Sequence, residues 1–495
     1  MEDVEALERA LDSPWDQWTV FVHPAQRQWV EREQRGPARV SGSAGSAGSA
    51  GTGKTIVAVH RAVFLARADP DARVLLTTFS PTLAHALHTR LRRLVSKTPR
   101  LAERIDVLAL DELGARLFKF AFGQSVIAEP SLIRQYLIEA TTPVAAATTA
   151  PEHRTKLSAG FLISEWNEVV DARQIDTWEA YRDARRLGRK TRLSEGQRAA
   201  AWQVFSAVSK RLAAEGRVTW ARVFTRLAEH YAGGAKPPFE HVVVDEAQDL
   251  GVSQLRFLAA LGAKRANGLF FAGDLGQRIF QLPFSWKDLG VDVRGRARTL
   301  HVNYRTSHQI RSQADRLLGP EVTDVDGNAE SRRGTVSVFN GPAPSVVVFE
   351  STQAEIEAVA SWLEKCSMVG VRPGEIGVFV RSEAELDRAR KAVERAHLPS
   401  HLLDELVETD ADEVAIGTMY LAKGLEFRAV VVMACDDGVI PLQRRIDQVA
   451  DEADIGDVYD TERHLLYVAC TRARDRLLVT CTQPSSEFLS DLRLG

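Results

Sequence analysis

Short, mainly apolar strand-like runs recur along the chain at 74–80, 241–244, 269–272, 346–349, 376–380, 414–416, 429–433 and 477–480. They are apolar at successive positions rather than at alternate ones, the pattern of strands covered on both faces. Stretches of helical period separate them, so the pattern predicts parallel, doubly covered sheets in an α/β fold. Residues 100–235 differ: Arg, Ala and Glu recur with helical period, strand-like runs are few, and an Ala/Thr/Pro-rich break falls at 141–151. This reads as a mainly helical insertion. Near the start, Val4, Leu7 and Leu11 share a helical face that Asp12-Ser13-Pro14 ends. The Gly-, Asp- and Arg-rich stretch 323–334 reads as a loop.

A chain of 495 residues accommodates about two to four domains with large cores. Its 45% hydrophobic and 26% charged content is that of an ordinary globular protein. No apolar run is long enough to cross a bilayer, so no membrane is expected. Met1-Glu2-Asp3-Val4-Glu5 is acidic, unlike a secretory signal. Cys366, Cys435, Cys470 and Cys481 form no C-x-x-C pair, which argues against a zinc or iron–sulfur site and for a reducing compartment, the cytoplasm. A net charge of −3 does not advertise nucleic-acid binding, although a groove on a near-neutral protein can be basic.

Chemistry enters at Gly48-Ser49-Ala50-Gly51-Thr52-Gly53-Lys54-Thr55, which matches the phosphate-loop pattern G-x-x-x-x-G-K-[ST] and precedes the apolar run Ile56-Val57-Ala58-Val59. Glycines let backbone N–H groups curl round phosphates, a helix opening near Lys54 presents its positive end, and Lys54 and Thr55 supply a cation and a Mg²⁺ ligand. ATP and Mg²⁺ are therefore the expected cofactors. Gly-Ser-Ala occurs three times before Gly51, where one copy completes the loop, so six residues look surplus. A second constellation, Asp245-Glu246-Ala247-Gln248-Asp249, follows a buried strand. It places Asp245 to hold Mg²⁺ and Glu246 to orient and deprotonate an attacking water.

With these motifs the chain resembles the UvrD/Rep/PcrA-like superfamily 1 DNA helicases over almost its whole length. Pro24-Ala25-Gln26-Arg27-Gln28-Trp29-Val30 resembles the adenine-reading Q motif, with Gln26 reading. Thr77-Thr78-Phe79-Ser80 resembles motif Ia, implying DNA contacts by Thr78, Phe79 and Ser80. Gly273-Asp274-Leu275-Gly276-Gln277 resembles motif III, implying that Gln277 senses the γ-phosphate. Asn303-Tyr304-Arg305 resembles motif IV, implying adenine stacking by Tyr304 and a γ-phosphate contact by Arg305. The stretch from Thr418 to Phe427 resembles motif V, with Thr418 on DNA and Glu426 on the ribose. The stretch from Glu462 to Ala473 resembles motif VI, with Arg472 as a second γ-phosphate arginine.

The chain also departs from the family. Ala109 and Asp111 stand at the motif-Ib threonine and histidine, Ile56 where a cation often follows the phosphate loop, and Tyr420 at the motif-V histidine. After motif III the usual aromatic-Arg-Gly stretch is Phe280-Gln281-Leu282-Pro283-Phe284-Ser285-Trp286, which leaves the base-stacking ring to Phe284 or Trp286. The arginines of 181–192 suit either a phosphate-tracking surface or a solvated helix face; Trp166 and Trp178 nearby are expected in a core.

The resemblance implies two RecA-like parallel-sheet domains with ATP in the cleft between them. The first spans 1–105 and 223–297 and is interrupted by the helical insertion 106–222; the second spans 298–495. About 110 residues separate Arg305 from Thr418, too few to hold the family's large second insertion as well as strands of a RecA-like domain. The chain ends soon after motif VI, leaving no room for an appended nuclease. The implied activity is an ATP-dependent single-stranded DNA translocase and 3′ to 5′ helicase working at duplex junctions. Two other readings stay open: an ATP-gated DNA-binding switch or loader acting with a partner such as a nuclease, and a translocase crippled at the expanded loop.

Overall fold

The computed structural model describes residues 22–42, 53–147, 157–184, 193–274, 284–318, 321–323, 326, 329–331, 336–404, 412–447 and 455–493. The helical face of Val4, Leu7 and Leu11, most of the phosphate loop, residues 185–192 of the arginine-rich stretch, most of 323–334 and Gln277 lie outside these.

The chain enters through helix α1 (Pro24–Glu31) and strand β1 (Ala38–Gly42), then continues through α2 (Lys54–Ala68), β2 (Val74–Thr78), α3 (Pro81–Leu94), β3 (Ile105–Ala109) and α4 (Leu110–Phe122). Next come α5 (Pro130–Ala147), α6 (Ala159–Glu165) and α7 (Glu195–Ala214), which pack on one another. Then α8 (Trp220–Ala232), β4 (His241–Val244), α9 (Val252–Gly262), β5 (Leu269–Ala272) and β6 (Ala297–Leu300) return to the first sheet. Its order is β3-β2-β4-β5-β1-β6, with every neighbour parallel.

Successive residues of a strand point to opposite faces, and both faces here are covered. Leu76, Val243 and Phe270 pack with Val57, Ala58 and Ala62 of α2, while Leu75, Val242 and Phe271 pack with Phe224 of α8 and Phe257 of α9. Arg61 is fully buried on α2, and its two terminal nitrogens donate to three acceptors: the carbonyls of Val30 (2.6 Å) and Arg32 (2.9 Å) and Oδ1 of Asn267 (2.8 Å). Burial lowers its pKa to about 10.

The helical insertion has its own core, running from Ala128 to Leu212 and including Trp166, with Trp178 packed against it. The insertion is therefore shorter than 106–222. β3 and α4 belong to the first sheet and its cover, because Leu110, Leu113 and Phe118 pack with Val242 and Phe271. The first layer also extends past 297, since β6 pairs with β1 through Leu300.

A second six-stranded sheet follows, of β7 (Ser345–Phe349), β8 (Ile376–Val380), β9 (Ser400–Leu402), β10 (Val414–Thr418), β11 (Phe427–Val432) and β12 (Ala473–Thr482), in the order β7-β12-β11-β8-β10-β9 and parallel throughout. Helices α10 (Thr352–Met368) and α11 (Leu386–Arg395) cover one face, and α12 (Ile455–Cys470) covers the other. Between Arg305 and Thr418, residues 345–402 are taken up largely by three of these strands and two of these helices.

Candidate nucleotide site between the two sheets

In a parallel sheet, ligands gather beyond the carboxyl ends of the strands. Lys54, which opens α2, Asp245 after β4 and Asp274 after β5 converge there. Gly53 takes the left-handed conformation at φ 76°, which favours glycine, and a Cβ on it would stand 2.7 Å from Nε2 of Gln26. The Lys54 ammonium is 2.7 Å from Oδ2 of Asp274. The other Asp274 oxygen accepts from the Gly42 N–H at 2.5 Å, and the Asp274 N–H donates to Oε1 of Gln248 at 3.1 Å.

Asp245 and Glu246 are adjacent but electrostatically unlike. Burial, and then the neighbouring Glu246 charge, push the Asp245 carboxyl up to about 7 against the opposing hydrogen bond from the Thr55 side chain. Burial pushes Glu246 up as well, but Lys423, Lys54 and Arg472 outweigh it and hold the carboxyl below its ordinary value. The Gln248 amide donates to Glu246. Glu246 itself sits at φ 53°, a left-handed conformation uncommon for a non-glycine residue and one that recurs at functional sites. The two carboxyls thus differ in how readily each holds a proton.

The second sheet supplies the opposite wall. Asn303 accepts the backbone N–H groups of Arg305 (2.9 Å) and Thr306 (3.0 Å), which fixes the turn that carries Arg305. Arg305 pairs with Glu426, and Glu426 also pairs with Arg90 of α3 at 2.8 Å. Arg472 donates from Nε to the carbonyl of Val468 at 2.9 Å. Burial lowers both arginines, Arg305 to about 10. Lys423 pairs with Asp249 of the first layer, and its ammonium lies 5.0 Å from the centroid of the Phe79 ring. A Cβ on Gly424 would stand 2.0 Å from Leu83. The cleft is lined by Lys54, Thr55, Asp245 and Glu246 on one side and by Arg305, Lys423, Glu426 and Arg472 on the other.

Near Gly53, Gln26 is buried and accepts from the His23 N–H at 2.9 Å. The His23 ring lies 5.0 Å from that of Tyr304, inclined by 32°. Gln26, His23 and Tyr304 thus form one group.

The expected DNA contacts fare differently. Phe79 and Ser80 are half-buried, and the Ser80 hydroxyl caps α3 by accepting from Leu83 N–H at 3.3 Å. Thr418 is half-buried at the end of β10. Thr78 is fully buried, which corrects its assignment as a DNA contact. Phe284 and Trp286 also need correction: both belong to the first-sheet core, and Trp286 meets Phe271 edge-to-face at 4.9 Å with Arg39 over it at 5.8 Å. Apolar strand faces behind them absorb both rings, so neither offers a free face to a base. Asp111 sits on α4, and burial pushes it up to about 6 against a hydrogen bond from Gln254. Tyr420 is exposed, with Arg381 5.2 Å over its ring.

Three site residues escaped sequence reasoning. Lys423 and Asp274 fall inside the quoted motif stretches without a role of their own. Arg90 left only a helical-spacing signal, seven residues after Leu83 on the face that also presents Leu87.

A family model described as the UvrD/REP helicase N-terminal domain matches residues 23–285, and one described as the UvrD-like helicase C-terminal domain matches 393–484. A probable DNA helicase II homolog of Rickettsia conorii is 30% identical over 131 residues, 26% of this chain and 19% of its own. The ATP-dependent DNA helicase UvrD1 of Mycobacterium tuberculosis is 40% identical over 100 residues, 18% of this chain and 12% of its own. The ATP-dependent DNA helicase Rep of Buchnera aphidicola is 34% identical over 96 residues, 19% of this chain and 14% of its own. The chain therefore spans less than a fifth of the length of these curated relatives. A solved structure titled as the C-terminal domain of a possible DNA helicase from Lactobacillus plantarum covers 39% of this chain and 94% of its own at 23% identity, with a TM-score of 0.27.

Proposed function

The chain belongs to the UvrD/REP helicase family, and from that premise we propose that it is an ATP-driven translocase on single-stranded DNA that unwinds duplexes from junctions with 3′ to 5′ polarity. One observation carries the proposal: phosphate-loop and acidic residues of the first sheet face two arginines and a lysine of the second across a single cleft.

In this mechanism Gln26 reads adenine, Tyr304 stacks on it and Glu426 holds the ribose. The ATP phosphates replace Asp274 as the partner of Lys54. Thr55 and Asp245 suit Mg²⁺: their oxygens already meet, and Asp245 is a buried carboxyl beside a second carboxyl, a pair that a hard cation relieves. Bound there, Mg²⁺ would neutralise phosphate charge in phosphoryl transfer. Among the described residues no cluster of three or more His, Cys, Asp or Glu could hold an ion, which fits a metal held partly by the nucleotide itself. Glu246 orients water and takes its proton. Gln277 senses the γ-phosphate, while Arg305 and Arg472 steady the developing charge once the cleft is shut. Opening and closing then move Phe79, Ser80 and Thr418 along the strand. No helix among the described residues is long and apolar enough to cross a membrane, and we place the protein's work in the cytoplasm.

The test pairs ATP turnover, with and without a single-stranded oligonucleotide, with strand displacement on duplexes tailed at the 3′ or the 5′ end. Displacement from the 3′ tail alone supports the proposal; displacement from the 5′ tail alone refutes its polarity. The burial of Phe284 and Trp286 favours a second reading, an ATP-gated DNA-binding switch or loader serving a partner such as a nuclease, because it removes two of the expected rings for gripping bases. DNA-stimulated turnover without displacement would select that reading.

A further inference from the structure

Lys423 stands on the turn between β10 and β11, in the second layer, yet it reaches Asp249 and the Phe79 ring in the first. Its ammonium is paired with Asp249 and lies 5.0 Å from the centroid of the Phe79 ring. The ion pair is shut away from solvent, with 9% and 4% of the two side chains exposed. Asp249 belongs to the turn that follows β4, and its N–H donates to the carbonyl of Glu246 at 3.0 Å. Lys423 also lines the nucleotide cleft beside Glu246 and Arg472. One ammonium thus rests against the ring at the end of β2 and against the turn that carries the hydrolytic carboxylate.

We infer that Lys423 is the positioning residue through which single-stranded DNA at Phe79 regulates hydrolysis at Glu246. The inference rests on the motor reading above, which gives Phe79 a base to stack on. A base needs a face of the ring, and a cation seeks the same electron-rich surface. With the ring bare, ring and Asp249 together cradle the ammonium. A base on the ring remakes one side of that cradle, and the ammonium shifts with it. Its charge then acts from a new position on the carboxylate and phosphates in the cleft. A lysine that merely tied the two layers together would affect stability, but not the response of turnover to DNA.

The experiment measures turnover against ATP concentration, with and without a single-stranded oligonucleotide. It uses the full chain, Lys423→Gln, Lys423→Arg, Phe79→Leu and the double variant Lys423→Gln/Phe79→Leu, with a melting temperature for each. In Lys423→Gln the DNA-stimulated kcat should fall by about tenfold relative to the DNA-free rate, the scale of ordinary coupling between sites. KM for ATP should move by less than about threefold, because the lost interaction acts on the chemical step. Lys423→Arg keeps the charge and should restore most of the stimulation. Phe79→Leu keeps apolar bulk without a ring and should lose stimulation to a similar degree, and the double variant should be no worse than the poorer single one. Stimulation in Lys423→Gln equal to the parent's, or losses in the two single variants that simply multiply in the double, would overturn the inference. Should Lys423→Gln fail to fold, Phe79→Leu decides: undiminished stimulation there overturns it equally. A parent whose turnover ignores DNA would sink the motor reading, and this inference with it.

Discussion

Arg90 and Glu426 meet across the cleft at 2.8 Å, one carried by the helix after β2 and the other by the turn before β11. The same carboxylate also takes Arg305. Removing the acid strands two cations that are 15% exposed. Glu426→Ala should therefore cost about 3 kcal/mol of stability, at the low end for breaking a buried pair because both arginines keep some solvent contact. Denaturant unfolding measures it, and a loss near zero would show that the arginines find other partners.

Glu246→Gln keeps shape and, on the proposed mechanism, removes the base. Hydrolysis should drop by about 10²–10⁴-fold while ATP binding persists. Lys54→Ala should weaken both binding and turnover, because in the proposed mechanism Lys54 meets phosphate in ground and transition states alike. Nucleotide binding and single-turnover hydrolysis, measured separately, check the split.

Arg305→Ala and Arg472→Ala should each remove most of the DNA-stimulated rate, on the order of 10³-fold if they act as arginine fingers. ATP should still bind through Lys54, Thr55 and Gln26. Retained stimulation in both variants would mean that the second sheet does not complete the site.

Trp286→Ala should destabilise the fold by about 3–5 kcal/mol, the cost of a large void in a core. Trp286→Phe should fold and bind single-stranded DNA as the parent does. A clear loss of DNA binding in the phenylalanine variant would return Trp286 to the DNA-facing surface.

Asp111 gives a pH signature. Its folded pKa of about 6 lies above the ordinary aspartate value, so the folded state holds the proton more tightly. That contribution is full below about pH 4 and lost as pH rises through about 6. Asp111→Asn, which cannot ionise, should thus be more stable than the parent at pH 8, by about 1–2 kcal/mol after allowance for partial exposure. The difference should vanish below about pH 4. Melting curves across this range test the sign.

The two parallel sheets were legible because β2, β4, β5, β8 and β11 are apolar at consecutive positions, a pattern that only double coverage explains. That Lys54, Thr55, Asp245, Glu246, Arg305 and Arg472 share one cleft was expected from the sequence because phosphate chemistry restricts residue type and spacing together. Phe284 and Trp286 misled because an aromatic residue near a motif has the same letter whether it faces a strand or a solvent groove; burial against Phe271 is a property of three dimensions. Arg90 and Lys423 stayed silent for a related reason. Each earns its place through a partner in the other layer, more than 170 residues away in sequence. The boundary placed at 106 failed because α4 is helical like the insertion but turns its apolar stripe toward the first sheet.

Arg61 carries one more consequence. Its guanidinium is fastened to the last turn of α1 and the residue beyond it, and α1 is the helix that bears Gln26. A chain clipped ahead of residue 32 would leave that cation facing a void under α2. If Gln26 reads adenine as proposed, discrimination between bases would therefore not be a detachable accessory of this protein. A truncated form would not become a less fastidious enzyme that accepts any nucleoside triphosphate; it would lose the support of α2, and with it the Lys54 end of the phosphate loop.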